Sequence, residues 1–304
     1  MQELLKKTIE ECRPTAEKGH VATYIPELEK GNPNDFGIAV CSDTEELVCE
    51  GDFTKRFTIQ SVVKPILLLA ALMDSGENAV RAKVGVEATG QPFDAINMNE
   101  TTLIAEHFNP MVNIGAIVMC TLIRGRTYEE RYARIIELIR EIANDPDISV
   151  DENVYLSEKK TGNKNRALAF LLKCHGVITD DVEDVLDCYF KCCSILVNCR
   201  NLATIGGVFA SHGRTADSEQ LFPAQYMRFI NAVLMTCGMY DGAGEFAVRV
   251  GVPAKSGVGG GIMAVVPNRL GIGIFSPSLD RKGNSIAGIQ ALEKLSSTLN
   301  LSIF

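Results

Sequence analysis

The hydrophobic and polar positions divide this chain into strand-like segments near both ends and a long middle of helical stripes. Leu4, Leu5, Thr8, Ile9 and Cys12 mark one face of a short opening helix. Residues 36–41 and 47–51 read as two strands, preceded by the turn-rich Gly31-Asn32-Pro33-Asn34-Asp35 and joined by the polar Ser42-Asp43-Thr44-Glu45-Glu46. An apolar run over 66–73 predicts a helix from Ser61 that ends at Asp74-Ser75-Gly76. Thr127-Tyr128-Glu129-Glu130 has the form of a capping box. Tyr128, Tyr132, Ile135, Ile139 and Ile142 then repeat at helical spacing until Asn144-Asp145-Pro146 stops them. Further stripes run through Val182, Val185, Leu186, Tyr189, Cys193 and Leu196, and through Tyr226, Phe229, Ile230, Val233, Leu234 and Cys237. Strands return at 261–266 and 270–275 around Pro267-Asn268-Arg269, and a last helix spans 285–299.

Strands at both ends around a helical middle predict an α/β (α+β) architecture. One antiparallel sheet forms from residues 1–75 and 222–304, with the terminal helices packed on it. Residues 76–221 form an inserted all-helical domain, and the active site lies where the two meet.

Composition narrows the function classes. The 304 residues suffice for an ample core, and 46% hydrophobic with 22% charged residues is ordinary for a globular protein. A net charge of −8 argues against nucleic acid or an anionic membrane as partner. The charged start has no apolar core of a signal peptide, and no apolar run is long enough to span a bilayer. A cytoplasmic location is therefore the expectation. Of ten cysteines, Cys41, Cys49, Cys120, Cys174 and Cys237 fall at apolar positions. Cys188, Cys192, Cys193 and Cys199 have no Cys-x-x-Cys pair and no nearby histidine to make a metal cluster. Buried free thiols are expected, with no metal. His20, His107, His175 and His212 are scattered and fit no triad.

The candidate chemistry centres on Ser61-Val62-Val63-Lys64-Pro65. Residues i and i+3 share a helix face, so the Lys64 amine reaches the Ser61 hydroxyl. Pro65 is tolerated only near the first turn, which puts Ser61 at the helix start, where N–H dipoles favour negative charge. A hydroxyl beside an amine at such a place is an activated nucleophile. Taken alone, the same residues describe a capping serine and an exposed lysine. A second stretch is Met239-Tyr240-Asp241-Gly242. A third, Lys255-Ser256-Gly257-Val258-Gly259-Gly260-Gly261, opens a strand, and its glycines admit close approach of a substrate to the backbone. No phosphate-binding P-loop is present.

Ser-x-x-Lys followed late by Lys-Ser-Gly is the pairing of penicillin-recognising serine enzymes, but neither Ser-x-Asn nor Tyr-x-Asn occurs here. More closely, the chain resembles the serine-dependent glutaminases, which share the β-lactamase-like fold. The likeness runs through Tyr24-Ile25-Pro26-Glu27-Leu28, Gln60-Ser61-Val62-Val63-Lys64-Pro65, Asn109-Pro110-Met111-Val112-Asn113, Ser157-Glu158-Lys159 with Asn165, Tyr189-Phe190, Cys237-Gly238-Met239-Tyr240-Asp241 and Pro253-Ala254-Lys255-Ser256-Gly257-Val258.

The resemblance implies hydrolysis of L-glutamine to L-glutamate and ammonia through a γ-glutamyl-serine, without a cofactor, by a homodimer or homotetramer. Ser61 would be the nucleophile and Lys64 its base, with the N–H groups of Ser61 and Val258 as oxyanion hole and Tyr240 as proton shuttle. Lys255 is expected as a second cation that depresses Lys64. Glu158, Asn113, Asn165, Tyr24 and Tyr189 would hold the amino-acid end of the substrate, with Gln60 beside the nucleophile. The alternatives are another serine amidase of this fold, acting on asparagine, a peptide or a β-lactam, and a non-catalytic amino-acid-binding protein.

Overall fold

A computed structural model describes residues 1–42, 47–90, 108–215 and 219–304. The chain opens with α1 (Gln2–Cys12), whose buried Leu5, Thr8, Ile9 and Cys12 follow the expected stripe. Strands β1 (Gly37–Ser42) and β2 (Leu47–Gly51) form a hairpin; the short β3 (Phe57–Thr58) follows. A 3-10 turn, Gln60–Val63, leads into α2 (Lys64–Arg81). The middle comprises α3 (Asn113–Leu122), α4 (Tyr128–Ala143), α5 (Glu152–Thr161), α6 (Asn163–Cys174) and α7 (Val182–Cys193). Then come β4 (Leu196–Val197), α8 (Cys199–Ala210), α9 (Ala224–Cys237) and α10 (Ala243–Arg249). The chain finishes with β5 (Ala254–Ser256), β6 (Gly261–Val266), β7 (Leu270–Phe275) and α11 (Ile286–Leu299). Among the described residues no helix is long and apolar enough to cross a membrane.

The two ends of the chain make one antiparallel sheet, in the order β2-β1-β7-β6-β5. β1 pairs with β7 from Gly37 opposite Phe275 to Ser42 opposite Leu270. One face of the sheet buries Ile38, Val40, Ile262, Ile272 and Ile274 against α1 and α11, as period-two alternation requires. The other face meets α8, and glycines set that approach. A Cβ on Gly271 would lie 2.1 Å from the Gly207 nitrogen, and one on Gly273 would lie 2.1 Å from the Cys199 oxygen. Only bare backbone lets helix and strand come so close. Thus α8, which lies within the segment 76–221, packs directly on the sheet. The β3–β4 pair forms a separate two-stranded ladder beside it.

Five local expectations are corrected. The α-helix begins at Lys64, not Ser61; Ser61 lies in the 3-10 turn that feeds it, and Pro65 occupies the first turn. The chain does break at Gly76 (φ 81°), as its glycine permits, but helix resumes to Arg81. Lys255 and Ser256 belong to their own strand, β5, antiparallel to β6, and the glycines form the turn between the two. The Thr127 hydroxyl accepts from the Glu130 N–H as a cap should, yet the Glu130 carboxylate accepts from the Arg126 N–H, so the box is only half closed. The ten cysteines are free thiols, but Cys174 is exposed and Cys41 and Cys49 are only partly buried. His107 lies outside the described residues.

The glycine seam is testable. Gly271→Ala drives a methyl group into the α8 backbone rather than into a yielding side chain, and overpacking of that kind costs about 3 kcal/mol. Urea unfolding should show a lower midpoint with an unchanged slope; a midpoint like that of the parent would mean the seam opens freely.

Candidate active site

Ser61 and Lys64 lie where the 3-10 turn becomes α2, in a segment buried throughout from Phe57 to Leu72. The residue before the serine, Gln60, is buried and holds φ at +47°, a left-handed conformation that a side chain adopts only at a cost of about 1–2 kcal/mol. Its amide donates to the Thr58 hydroxyl at 3.3 Å. The strain turns the chain abruptly from β3 into the helix start. Strain of this type persists only where the surroundings enforce it.

Lys64 is wholly buried, and its amine donates to the Asn113 side-chain oxygen at 2.7 Å. Burial pushes the lysine down to about 8, against the Cys193 and Glu158 groups beside it, which favour its charge. Asn113 is the first residue of α3, and it joins more than one element. Its oxygen also accepts from the Tyr189 hydroxyl of α7 at 3.3 Å, and its amide donates to the Asn165 oxygen of α6 at 3.0 Å. One asparagine therefore ties the lysine to two other expected site residues.

Glu158 completes this wall from α5. Burial raises its carboxyl to about 8, while Lys64 pulls the other way. Its Oε2 is buried and has no hydrogen-bond partner among the described residues. A buried carboxylate oxygen without a donor is a place for a cation. The helices carrying these groups are latched together just behind them. Lys159 and Tyr155 of α5 both bind Asp187 of α7, at 2.7 and 3.1 Å. Gly162, between α5 and α6, leaves room for the Phe190 ring.

The opposite wall is the β5–β6 hairpin. A Cβ on Gly257 would lie 2.9 Å from the Ile59 oxygen and 3.3 Å from the Ser61 nitrogen, and one on Gly259 would lie 2.5 Å from the Thr58 oxygen. The turn therefore lies against the backbone of the serine and brings the buried Val258 beside it. Tyr240, also at positive φ (+55°), donates to the Ser256 oxygen at 3.1 Å and hydrogen-bonds Ser61. Burial raises its phenol, and the Ser61 contact offsets part of that. Lys255 lies 4.1 Å from the centre of the Tyr240 ring and donates to the same Ser256 oxygen at 2.6 Å. Burial first, and Lys64 second, hold the Lys255 ammonium well below its usual range. Burial is thus the first cause of the lowering at both lysines, and the repulsion between them adds to it.

Tyr24 is exposed, within electrostatic reach of Tyr189, and lies at the rim rather than in the wall. A cleft of about 380 Å³ runs along the outer side of Val258 and Gly259, and a smaller one of about 110 Å³ lies beyond Tyr240. Two groups had no assigned role in the sequence. The Ser256 hydroxyl is wholly buried without a partner among the described residues. The Cys193 thiol, one turn after Tyr189, lies beside Lys64 and Glu158. Lys-Ser-Gly signalled the first; the helical stripe through Cys193 concealed the second.

An antiparallel sheet built from both chain ends, with its edge hairpin facing a Ser-x-x-Lys turn and helices between, is the β-lactamase-like fold. The Glutaminase family profile matches residues 19–304. Glutaminase 2 of Clostridium perfringens is 48% identical over 305 residues, covering all of both chains, and the glutaminase of Clostridium tetani is 48% identical with the same coverage. The probable glutaminase of Bacillus subtilis, solved in complex with 6-diazo-5-oxo-L-norleucine, is 35% identical with a TM-score of 0.90, over 98% of this chain and 94% of that one. This chain belongs to the glutaminase family.

The electrostatics of the wall can be measured. Lysine-selective isotope labelling should find Lys64 titrating near 8, and Asn113→Ala should lower it further by removing the acceptor of its charged form. A midpoint near 10 in the parent protein would contradict the buried environment.

Proposed function

We propose that this protein hydrolyses L-glutamine to L-glutamate and ammonia. The observation that carries the reading is the continuous network from Lys64 through Asn113 to Asn165 and Tyr189, with the Glu158 Oε2, which has no partner among the described residues, beside it. It joins a base poised near neutrality to groups suited to an amino acid's charged end.

Ser61 Oγ attacks the side-chain amide carbon and passes its proton to neutral Lys64. The resulting oxyanion faces the N–H groups of Ser61 and Val258; losing one such donor typically costs ~10²–10³ in rate. The C–N bond breaks as Lys64 returns that proton through Tyr240 to the departing ammonia, which leaves Lys64 neutral again. Water then attacks the γ-glutamyl ester and gives a proton to the neutral Lys64, which passes it to the Ser61 oxygen as the ester bond breaks, releasing L-glutamate and the free Ser61 hydroxyl. Lys255 donates to the Ser256 carbonyl that Tyr240 also reaches, and so orders it against the tyrosine. Ionised Glu158 holds the α-ammonium, with Asn113, Asn165, Tyr189 and Gln60 around the amino-acid end and Tyr24 at the rim. We take 1–75 with 222–304, and 76–221, as the two domains, and the working assembly as a homodimer or homotetramer in the cytoplasm.

Stoichiometric ammonia and glutamate should appear from L-glutamine, with none from L-asparagine, and Ser61→Ala should release neither. Activity surviving in that variant would remove the nucleophile from the scheme. Glu158→Gln should raise KM by about tenfold or more, far beyond its effect on kcat, because the ammonium loses its counter-charge. The pH sign is fixed by two groups. Lys64 must lose its proton and Glu158 must lose its own, both near 8 in the free protein, so kcat/KM should climb from pH 7 to 9. A profile falling over that interval would exclude Lys64 as base.

A further inference from the structure

Helix α5 is fastened to α7 at two places. Near its start the tie is backbone: the Asp151 N–H donates to the Ser194 oxygen at 2.8 Å, and Val150 and Ile195 form a β-bridge. Further along, where Glu158 lies, the hydrogen-bonded side-chain ties from α5 to α7 all end on Asp187 among the described residues. Its Oδ1 accepts from the Tyr155 hydroxyl at 3.1 Å and its Oδ2 from the Lys159 ammonium at 2.7 Å. Tyr155 comes three residues before Glu158, on nearly the same helix face, and Lys159 directly follows it. The two bonds therefore bracket the glutamate and fix the rotation of α5 about its axis.

The three partners are held to that task. Asp187 and Tyr155 are both buried. Burial first, and the Asp187 charge second, raise the Tyr155 phenol, so it keeps the proton it donates. The hydrogen bond to Asp187 raises the Lys159 amine, which keeps its charge. Lys159 and Lys191 also approach the Tyr155 ring, at 5.8 and 5.4 Å from its centre, and Lys191 lies 5.3 Å from the Tyr132 ring of α4. Asp187 stands two residues before Tyr189, so it refers the α5 wall of the site to the α7 wall. Such registration matters because a misplacement of about 1 Å in a binding group can cost as much as ~10²-fold.

We propose that Asp187 is a positioning residue for the ammonium of glutamine, acting through Glu158. It sets the place of the buried carboxylate and takes no part in the chemistry. The inference rests on the reading of Glu158 as the counter-charge of that ammonium.

The test is a double-mutant cycle on the full chain, read as KM and kcat for L-glutamine. Asp187→Asn keeps the shape but removes the charge that holds Lys159. Lys159→Met removes the same tie from the other side, so either variant serves should the other fold poorly. Each should raise KM about three- to tenfold, with kcat within about twofold of the parent. In a Glu158→Gln background, where KM is already high, neither should add more than about a factor of two. A pin that only steadies the helices would multiply its effect onto that of Glu158→Gln, or lower kcat instead. Either result would overturn the proposal, as would an unchanged KM in the single variants. If Glu158→Gln alone left KM at the parent value, the ammonium reading would fail and this inference with it.

Discussion

The contact between the Lys64 amine and the Asn113 oxygen is the constraint from which the site follows. A wholly buried amine cannot keep its charge cheaply, and a single polar acceptor at 2.7 Å is enough to hold it without fixing it in the charged form. The apolar run behind it, from Pro65 to Leu72, is what excludes water. The same hydrophobic segment that starts the central helix therefore also sets the proton affinity of the lysine. Because the Asn113 oxygen accepts from Tyr189 as well, and its amide reaches Asn165, the positions of three other helices are referred to that one amine.

The opposite side of the site is controlled by backbone proximity rather than by charge. Gly257 and Gly259 press against Ser61, Ile59 and Thr58, and Gly238 against the Ala254 oxygen, at distances no side chain allows. Two non-glycine residues, Gln60 and Tyr240, accept left-handed backbone to meet there. The site is thus a hydrogen-bonded helical wall facing a closely packed hairpin, with Ser61 between them.

Much of this was legible in the chain. The strand segments and the sheet made from both ends followed from periodicity, because each face is either fully buried or not. Pro65 correctly located a helix start, but not whether the preceding turn is α or 3-10, since proline permits both. β5 was missed because three residues, Ala254, Lys255 and Ser256, carry no alternation and two are polar. Glu158, Asn165 and Tyr189 were dull as sequence; they became site candidates only through resemblance, since what brings them to Lys64 is tertiary packing. Lys255 shows the limit of reasoning from charge alone. Two buried amines disfavour each other's charge, yet the burial that lowers both of them first is set by packing that no spacing encodes.

The pairing of β1 with β7 also bears on how the chain is made. The edges of Ile38 and Val40 wait for Ile274 and Ile272, more than two hundred residues later in synthesis. At ~5–20 residues per second, that is on the order of ten seconds or longer during which the first hairpin exposes an unpaired edge on a growing chain. The helices from α3 to α7 can pack meanwhile, since their partners are close in sequence. Ser61 itself can be framed only when the 257–260 turn has left the ribosome, so the reactive serine is assembled among the last parts of the protein. A nascent chain released early carries the nucleophile but none of the hairpin that faces it.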